Sequence, residues 1–320
     1  MIDLGFIGAG IMGERLLRAA AGHAADTVRI TGIWDPSAAA MDRIGAALPN
    51  VPRADSAEVV IAGAACVYIA SPPATHLAHA ARVLAAGRAL FCEKPLAVDV
   101  AAARAFVAGA EGARAAVNFP FASSFAVERL RGWIAEGAVG TPRTLDIRLA
   151  FATWPRGWQH DAAGWLDGRA EGGFTREVAS HFLFLAGRTL GRLTLEEATA
   201  RFPASGSERG IAARLSAGKV TITLAGEVGA TTADDHNTWT LAGSAGSVRL
   251  RDWSIAERAR ADGAWEADPA ALPNEKMRPL VLRRQLESVA RLCAGEPQPL
   301  ATLAEALTVQ EIVEAILAAH

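Results

Sequence analysis

The sequence predicts two successive architectures: a doubly wound parallel α/β unit, then an α+β unit with a mostly antiparallel open sheet covered by helices. Three observations predict them. Residues 1–120 alternate short apolar runs with alanine-rich amphipathic stretches, and beyond about residue 140 strand-like runs follow one another across glycine-rich turns. Two helical stretches then close the chain. A length of 320 residues accommodates two domains, and the change of pattern places the boundary at residues 1–120 and 121–320.

In the first part Ile2–Ile7 reads as a strand, Gly13–Gly22 as a helix and Arg29–Trp34 as a strand. Ala38–Ala47 reads as a helix, Cys66–Ala70 as a buried strand and His76–Ala86 as a helix. Ala89–Cys92, Val100–Gly109 and Ala115–Asn118 complete the alternation as strand, helix and strand. In the second part Arg143–Ala152, Leu195–Phe202, Gly210–Glu227, Thr238–Leu241 and Ser247–Arg251 read as strand runs. Phe174–Ala186, Asn274–Cys293 and Leu303–Ala319 read as helices. The alanines favour helix and close packing.

Composition narrows the chemistry. Hydrophobic content of 51% with 21% charged residues describes a folded globular protein. A net charge of −2 provides no attraction for nucleic acid or an anionic membrane. Cys66, Cys92 and Cys293 are odd in number and widely spaced, which fits neither a disulfide framework nor a zinc knuckle and points to a reducing cytosol. The start Met1-Ile2-Asp3-Leu4 lacks the pattern of a signal peptide, and the apolar run Val59–Ala70 is too short to span a bilayer. The expectation is a cytoplasmic protein. Of the 32 basic residues only Lys94, Lys219 and Lys276 are lysines, and Tyr68 is the single tyrosine. Any step requiring either side chain has few candidates.

Gly8-Ala9-Gly10-Ile11-Met12-Gly13 follows a predicted strand and opens a predicted helix, the context that a G-x-G-x-x-G dinucleotide fingerprint requires. Gly8 permits a tight turn, Gly10 a close approach of backbone to pyrophosphate, and Gly13 close helix–strand packing. The helix N-terminus, with Ile11 and Met12, attracts phosphate. Asp35 ends the second predicted strand, where a carboxylate accepts both adenosine ribose hydroxyls and repels a 2′-phosphate. NAD is therefore expected; NADP is the alternative that the nearby Arg43 leaves open. The first part reads as a Rossmann domain.

Glu93-Lys94-Pro95 follows the strand Ala89–Cys92 and so lies at the carboxyl edge of the parallel sheet, where such folds bind ligands. Lysine can be tuned by burial to exchange a proton, whereas arginine cannot. In a chain that uses arginine almost everywhere, Lys94 stands out as catalytic. Lys219 beside a strand turn and Lys276 at a helix start have ordinary surface placements.

These motifs occur with Ser71-Pro72-Pro73-Ala74-Thr75-His76, Gly87–Leu96, Gly172-Gly173, Glu177 and His181 in one order. Together with the closing segment Thr302–Val313, they resemble the glucose–fructose oxidoreductase / inositol dehydrogenase / MocA-like family. The resemblance implies that Lys94, Glu177 and His181 face a nicotinamide, with Glu177 replacing the family's usual aspartate. It places Ser71, His76, Glu93 and Asn118 around the cofactor and implies a cis Lys94–Pro95 bond. It further implies self-association as a homodimer or homotetramer. Histidine's ordinary pKa of ~6.5 suits reversible proton exchange at His181. Two departures leave the substrate open: Asn118-Phe119-Pro120 lacks the family's Asn-x-Arg, and Trp165-Leu166 replaces Trp-Arg.

Trp154, Trp158 and Trp165 form a tryptophan-rich loop with Arg156, Gln159, His160, Asp161 and Arg169. Indoles stack on sugar faces, and polar neighbours bind hydroxyls. Trp154, Arg156, Trp158, Trp165 and Glu177 are the expected substrate contacts. No metal-ligand spacing accompanies His160. The leading expectation is an NAD-dependent dehydrogenase acting on a secondary alcohol or ketone carbon of a sugar, polyol or related small molecule, with no nucleic-acid or membrane partner. Other readings are a redox-inactive NAD(H)-binding sensor, a lyase or glycosidase that oxidises transiently, and a 3-hydroxyisobutyrate-type dehydrogenase with a helical second domain.

Overall fold

The computed structural model describes residues 1–319, apart from the side chain of Asp161. The chain forms two compact units, the first made of Met1–Ser123 with Pro279–Thr308, the second of Ser124–Arg278 with the residues from Val309 on. The first unit therefore draws on two stretches of chain, where the sequence pattern implies one.

The first unit begins with β1 (Ile2–Ile7), α1 (Ile11–His23), β2 (Val28–Trp34), α2 (Ala38–Ala47) and α3 (Ala57–Gly63). It continues through β3 (Cys66–Ile69), α4 (Pro73–Ala85), β4 (Ala89–Cys92), α5 (Val100–Gly109) and β5 (Ala115–Val117). Helix starts are fixed by local chemistry: Ser37, Ser56 and Asp99 accept backbone N–H groups of α2, α3 and α5. Pro73 occupies the first turn of α4, where its missing N–H leaves no bond unmade. The parallel sheet has the order β2-β1-β3-β4-β5, so strand order reverses beside β1 and opens a crevice at the carboxyl ends of β1 and β3.

Both sheet faces are buried, which explains the uninterrupted apolar strands. Leu4, Phe6, Cys66, Tyr68 and Phe91 face one side with Leu16 and Leu17 of α1. Ile7, Val67, Ile69, Leu90 and Cys92 face the other, with Val60 of α3 and Val83 of α4. Leu282, Leu286, Val289 and Leu292, from near the C-terminus, join the first of these layers.

The second unit opens with α6 (Phe125–Ala135), capped by Ser124, followed by β6 (Pro142–Phe151) and the short α7 (Ala163–Leu166). A π turn, Thr175–Ala179, leads directly into α8 (Ser180–Leu190). Then come β7 (Thr194–Arg201), β8 (Gly210–Ala217), β9 (Val220–Val228), β10 (Asp235–Gly243), β11 (Ser247–Arg251), β12 (Ile255–Ala259) and β13 (Trp265–Ala267). The run Gly210–Glu227 resolves into the hairpin β8–β9 about Gly218 and Lys219. Helices α9 (Asn274–Ala294) and α10 (Leu303–Ala318) end the chain, and the division between units falls inside both. Sheet order is β13-β12-β11-β10-β6-β9-β8-β7, antiparallel except for β6 beside β9. A sheet of this size excludes the helical second domain of a 3-hydroxyisobutyrate-type enzyme.

Period-2 alternation buries Leu145, Ile147, Leu149 and Phe151 of β6, and Ile222 and Leu224 of β9, on one sheet face. Phe174, just before the π turn, packs on Phe151 at 5.0 Å between ring centroids. Gly226 makes that position possible, because a Cβ there would lie 2.5 Å from Phe174 Cε2 and 3.1 Å from Ile211 Cγ1. Gly226→Ala is accordingly expected to destabilise the protein by about 1–3 kcal/mol, the usual range for overpacking. A thermal midpoint equal to wild type would show that Phe174 is not held against Gly226.

Candidate active site

In the first unit the glycine loop lies at the β1/β3 crevice. Gly8 has φ +103°, and a Cβ there would lie 2.5 Å from Ala70 C and O and from Ser71 N. A Cβ on Gly13 would lie 2.0 Å from Gly8 O. Both positions thus require the absence of a side chain. Gly10 differs: it has φ −72°, and a Cβ there would meet no protein atom within 4 Å. It caps α1 without a side-chain acceptor, so the N–H groups of the first turn, at Ile11 and Met12, remain available to an anion.

Asp35 completes this cradle. Its two oxygens accept from Ala9 N and Ser37 N, each at 2.8 Å. A carboxylate has about four acceptor positions, so capacity remains for a ribose diol. Arg43 donates to Ala9 O at 2.7 Å and to Glu14 Oε2 at 3.3 Å, which ties its guanidinium to the loop itself. The residues present fit NAD: an open glycine at the helix start for pyrophosphate and an acidic acceptor for ribose.

Glu93, Lys94 and Pro95 follow β4, and the Lys94–Pro95 bond is cis. Glu93 is buried. Its Oε1 accepts the Tyr68 hydroxyl and, at 2.7 Å, Asn118 Nδ2. Asn118 Oδ1 in turn accepts Gln285 Nε2 of α9 at 2.5 Å. Burial and the Glu93 carboxylate push the Tyr68 phenol well above its ordinary value, so it stays protonated and acts as a donor. Hydrogen bonds to a charged group contribute about 1.5–3 kcal/mol each. The network thereby fixes the backbone immediately before Lys94, which is itself half-buried.

His76 is also buried, its Nε2 2.7 Å from Ser71 O and its Nδ1 2.8 Å from Pro95 O. The ring thus bridges the Ser71 and Lys94–Pro95 loops. Burial lowers its pKa more than the two carbonyls raise it. The Ser71 hydroxyl accepts from Thr75 Oγ1 at 2.7 Å.

In the second unit, Gly172 and Gly173 are demanded by close approach. A Cβ on Gly172 would sit 2.1 Å from Leu166 O; Gly173 has φ +99°, and a Cβ there would sit 2.2 Å from Glu208 Oε2. Glu208 is fully buried and accepts Thr175 N at 2.7 Å and Thr175 Oγ1 at 2.6 Å, anchoring the start of the π turn. Burial pushes its carboxyl above the usual range, with the Thr175 bonds opposing. Arg176 is committed to Glu314, with two contacts of 2.7 Å, and to the carbonyls of Arg169 and Gly172. Glu177 lies on the π turn and His181 on α8, four residues apart along one continuous helix. π turns recur at functional sites.

The His181 ring meets Trp253 edge-on, centroids 5.6 Å apart, and Trp253 also packs on Phe182. Asp252 and Trp253 have φ of 46° and 73°. Non-glycine residues in this region cost about 1–3 kcal/mol each when strained. The turn is held by Asp252 Oδ1, which lies 2.8 Å from His236 Nδ1 and accepts Asn237 N at 3.2 Å.

The three tryptophans separate. Trp154 is buried, packs on Phe151 and Phe174, and donates to Leu166 O at 3.2 Å, so protein encloses its indole. Trp158 is exposed, with Arg156 above its ring at 4.8 Å, and Trp165 is half-buried. Arg156 Nη1 donates to Asp235 Oδ2 at 2.6 Å. The expected polar contribution of Asp161 lies outside the described residues. Tyr68, Gln285, Glu208, Trp253 and Asp235 were not singled out as site residues by sequence reasoning. Only Tyr68 carried a signal, as the lone tyrosine in a buried strand. No metal-binding group of His, Cys, Asp or Glu occurs among the described residues, and no helix there is long and apolar enough to cross a membrane.

Residues 2–119 match a family described as an oxidoreductase family with an NAD-binding Rossmann fold. Over 116 residues the chain is 35% identical to inositol 2-dehydrogenase of Cereibacter sphaeroides, a match covering 35% of this chain and 33% of that protein. The chain thus spans about a third of the length of that curated relative. Levoglucosan dehydrogenase in complex with NADH has the same fold, with a TM-score of 0.84 at 17% identity over 99% of this chain and 96% of that one. So does an oxidoreductase from Agrobacterium radiobacter in complex with NAD+, L-tartaric acid and magnesium, with a TM-score of 0.81 at 19% identity over 99% and 96%.

The two loop glycines predict opposite phenotypes. Gly10→Ala is expected to keep the wild-type thermal midpoint while NADH affinity, followed by fluorescence titration, drops on the order of tenfold as phosphate contacts at the helix start are lost. Gly8→Ala, which drives a Cβ into backbone, is expected to lower the midpoint. Equal NADH affinity in Gly10→Ala and wild type would remove the pyrophosphate from this loop.

Proposed function

We propose, from the match of residues 2–119 to an oxidoreductase family with an NAD-binding Rossmann fold, that the chain is an NAD-dependent dehydrogenase. Its substrate is a secondary alcohol or ketone carbon of a sugar, polyol or related small molecule. The observation that carries the reading is the Gly10–Asp35 cradle: an open glycine at an uncapped helix start, with a carboxylate that retains acceptor capacity. When bound, the nicotinamide supplies the hydride acceptor or donor. His181 takes the hydroxyl proton during oxidation and returns it during reduction. Lys94 favours the developing alkoxide, and Glu177 orients His181 or the substrate. Trp158 offers an exposed indole to an apolar sugar face.

Lys94→Ala tests the assignment, because it separates binding from chemistry. NADH affinity is expected to persist while turnover falls by about 10²–10³-fold, the range for losing one donor to a developing oxyanion. Unchanged turnover on a confirmed substrate would overturn the role of Lys94. Tight NADH binding without turnover across a sugar and polyol panel would instead favour a sensor, and product without net NADH a transient oxidation.

The second sheet is further proposed as the self-association surface of a homodimer or homotetramer. Its outward face carries short side chains, among them Ala212, Thr221, Thr223 and Ala225, which allow another sheet to approach closely. Light scattering on purified protein is expected to give a multiple of the 33.4 kDa chain mass. A monomeric mass at micromolar concentration would exclude this proposal.

A further inference from the structure

Ala9, the residue between Gly8 and Gly10, is fully buried, so its peptide groups need partners. The neighbouring elements do not supply them. The strand ladder ends at Gly8, whose N–H donates to Trp34 O at 2.8 Å, and α1 begins only at Ile11. Side chains take over instead. Asp35 Oδ2 accepts Ala9 N–H at 2.8 Å, and Arg43 Nη2 donates to Ala9 O at 2.7 Å. An acid just past β2 and a base on α2 thus hold both polar groups of one residue.

An exposed arginine on a helix ordinarily moves among many rotamers. Arg43 is exposed but is held from two directions. Besides Ala9 O, its Nε donates to Glu14 Oε2 at 3.3 Å. Glu14 is anchored in turn, because its Oε1 accepts Arg18 Nε at 2.9 Å and Arg18 Nη2 at 2.7 Å. Burial pushes the Glu14 carboxyl up, and the Arg18 and Arg43 bonds more than reverse this, so it stays ionised near neutral pH.

The consequence lies in the next peptide. The Ala9–Gly10 peptide is planar and trans, so its C=O and N–H point in opposite directions. Holding Ala9 O on Arg43 therefore turns Gly10 N–H away from that guanidinium. Gly10 is the exposed loop glycine, with no protein atom within 4 Å of where a Cβ would lie.

We propose that Arg43 is a positioning residue for the cofactor: it fixes the Ala9–Gly10 peptide so that Gly10 N–H and the first turn of α1 meet the pyrophosphate. The proposal rests on the reading of NAD as cofactor, with its pyrophosphate at Gly10. An arginine shortly after the ribose-binding acid would otherwise be taken as a ligand for the 2′-phosphate of NADP. A guanidinium turned to that phosphate would leave the buried Ala9 carbonyl without its donor, at the cost of an unmade buried hydrogen bond.

Binding measurements on the full chain test this without a substrate. NADH affinity is read by fluorescence titration, with ADP-ribose, adenosine and NADPH as competitors. Arg43→Ala is expected to weaken NADH and ADP-ribose by about 5–20-fold, as for one charge-assisted bond lost behind the loop. Adenosine, which has the ribose but no phosphate, is expected to bind the variant and the wild type alike. NADPH is expected to bind more weakly than NADH and to fall by the same factor. Arg43→Lys, which keeps a donor for Ala9 O, is expected to recover part of the loss, and both variants to keep the wild-type thermal midpoint. Should Arg43→Ala not fold, Arg43→Lys and its ratio of ADP-ribose loss to adenosine loss still decide. Unchanged NADH affinity in Arg43→Ala, an equal loss for adenosine, or a loss confined to NADPH would each overturn the proposal. A wild-type chain that binds no NADH would overturn the NAD reading itself.

Discussion

The Glu93 carboxylate imposes the constraint on which the first unit depends. A carboxylate taken out of water without donors costs several kcal/mol, and this one is satisfied by residues from different elements. Tyr68 comes from β3 and Asn118 follows β5, while Gln285 of α9 completes the Asn118 amide. The parallel registers Tyr68↔Phe91 and Phe91↔Ala116 are therefore coupled to one polar centre as well as to apolar packing. Lys94 is the next residue in the chain. Its position follows from satisfying Glu93, and the hydroxyl of the single tyrosine serves that purpose rather than proton exchange.

The second unit uses the same device. Glu208 is buried beneath Gly173 and holds Thr175, two residues ahead of Glu177 and six ahead of His181. The twin glycines are steric consequences of this arrangement: one accommodates a carbonyl, the other a carboxylate. In both units a buried acid sets the backbone that presents the side chains proposed for the chemistry.

Much of this fold was legible in the sequence because its strands obey simple rules. Strands β1 to β5 are covered on both faces, so they read as apolar runs, and Ile2–Ile7 and Ala89–Cys92 are found at those bounds. The glycine fingerprint carries its own spacing; the structure gives Gly8 and Gly13 steric reasons, while Gly10 faces open space at the helix start. Helices α3 and α6 were less visible, although Ser56 and Ser124 mark their starts. The site was legible where chemistry is local in sequence, as at Gly8–Gly13 and Glu93–Pro95. It was not where partners are distant: Gln285 lies 167 positions from Asn118, and Asp235 lies 79 from Arg156. Trp154 and Trp158 look alike in sequence, but Phe151 and Phe174 enclose only the first. The left-handed pair Asp252–Trp253 carries little compositional signature, since aspartate enters this region only occasionally and tryptophan is bulky there.

That the first unit is assembled from two distant stretches also bears on how the chain is made. Synthesis runs from the N-terminus, and domains generally fold as they emerge. When residue 123 leaves the ribosome, the parallel strands are complete, but the layer containing Leu282, Leu286, Val289 and Leu292 does not yet exist. The sheet face bearing Phe6, Tyr68 and Phe91 then lacks part of its cover, and Asn118 Oδ1 lacks Gln285. The whole second sheet is synthesised in the interval. The nucleotide-binding unit is thus the first to begin and among the last to close, with part of its apolar face uncovered while the second sheet is made.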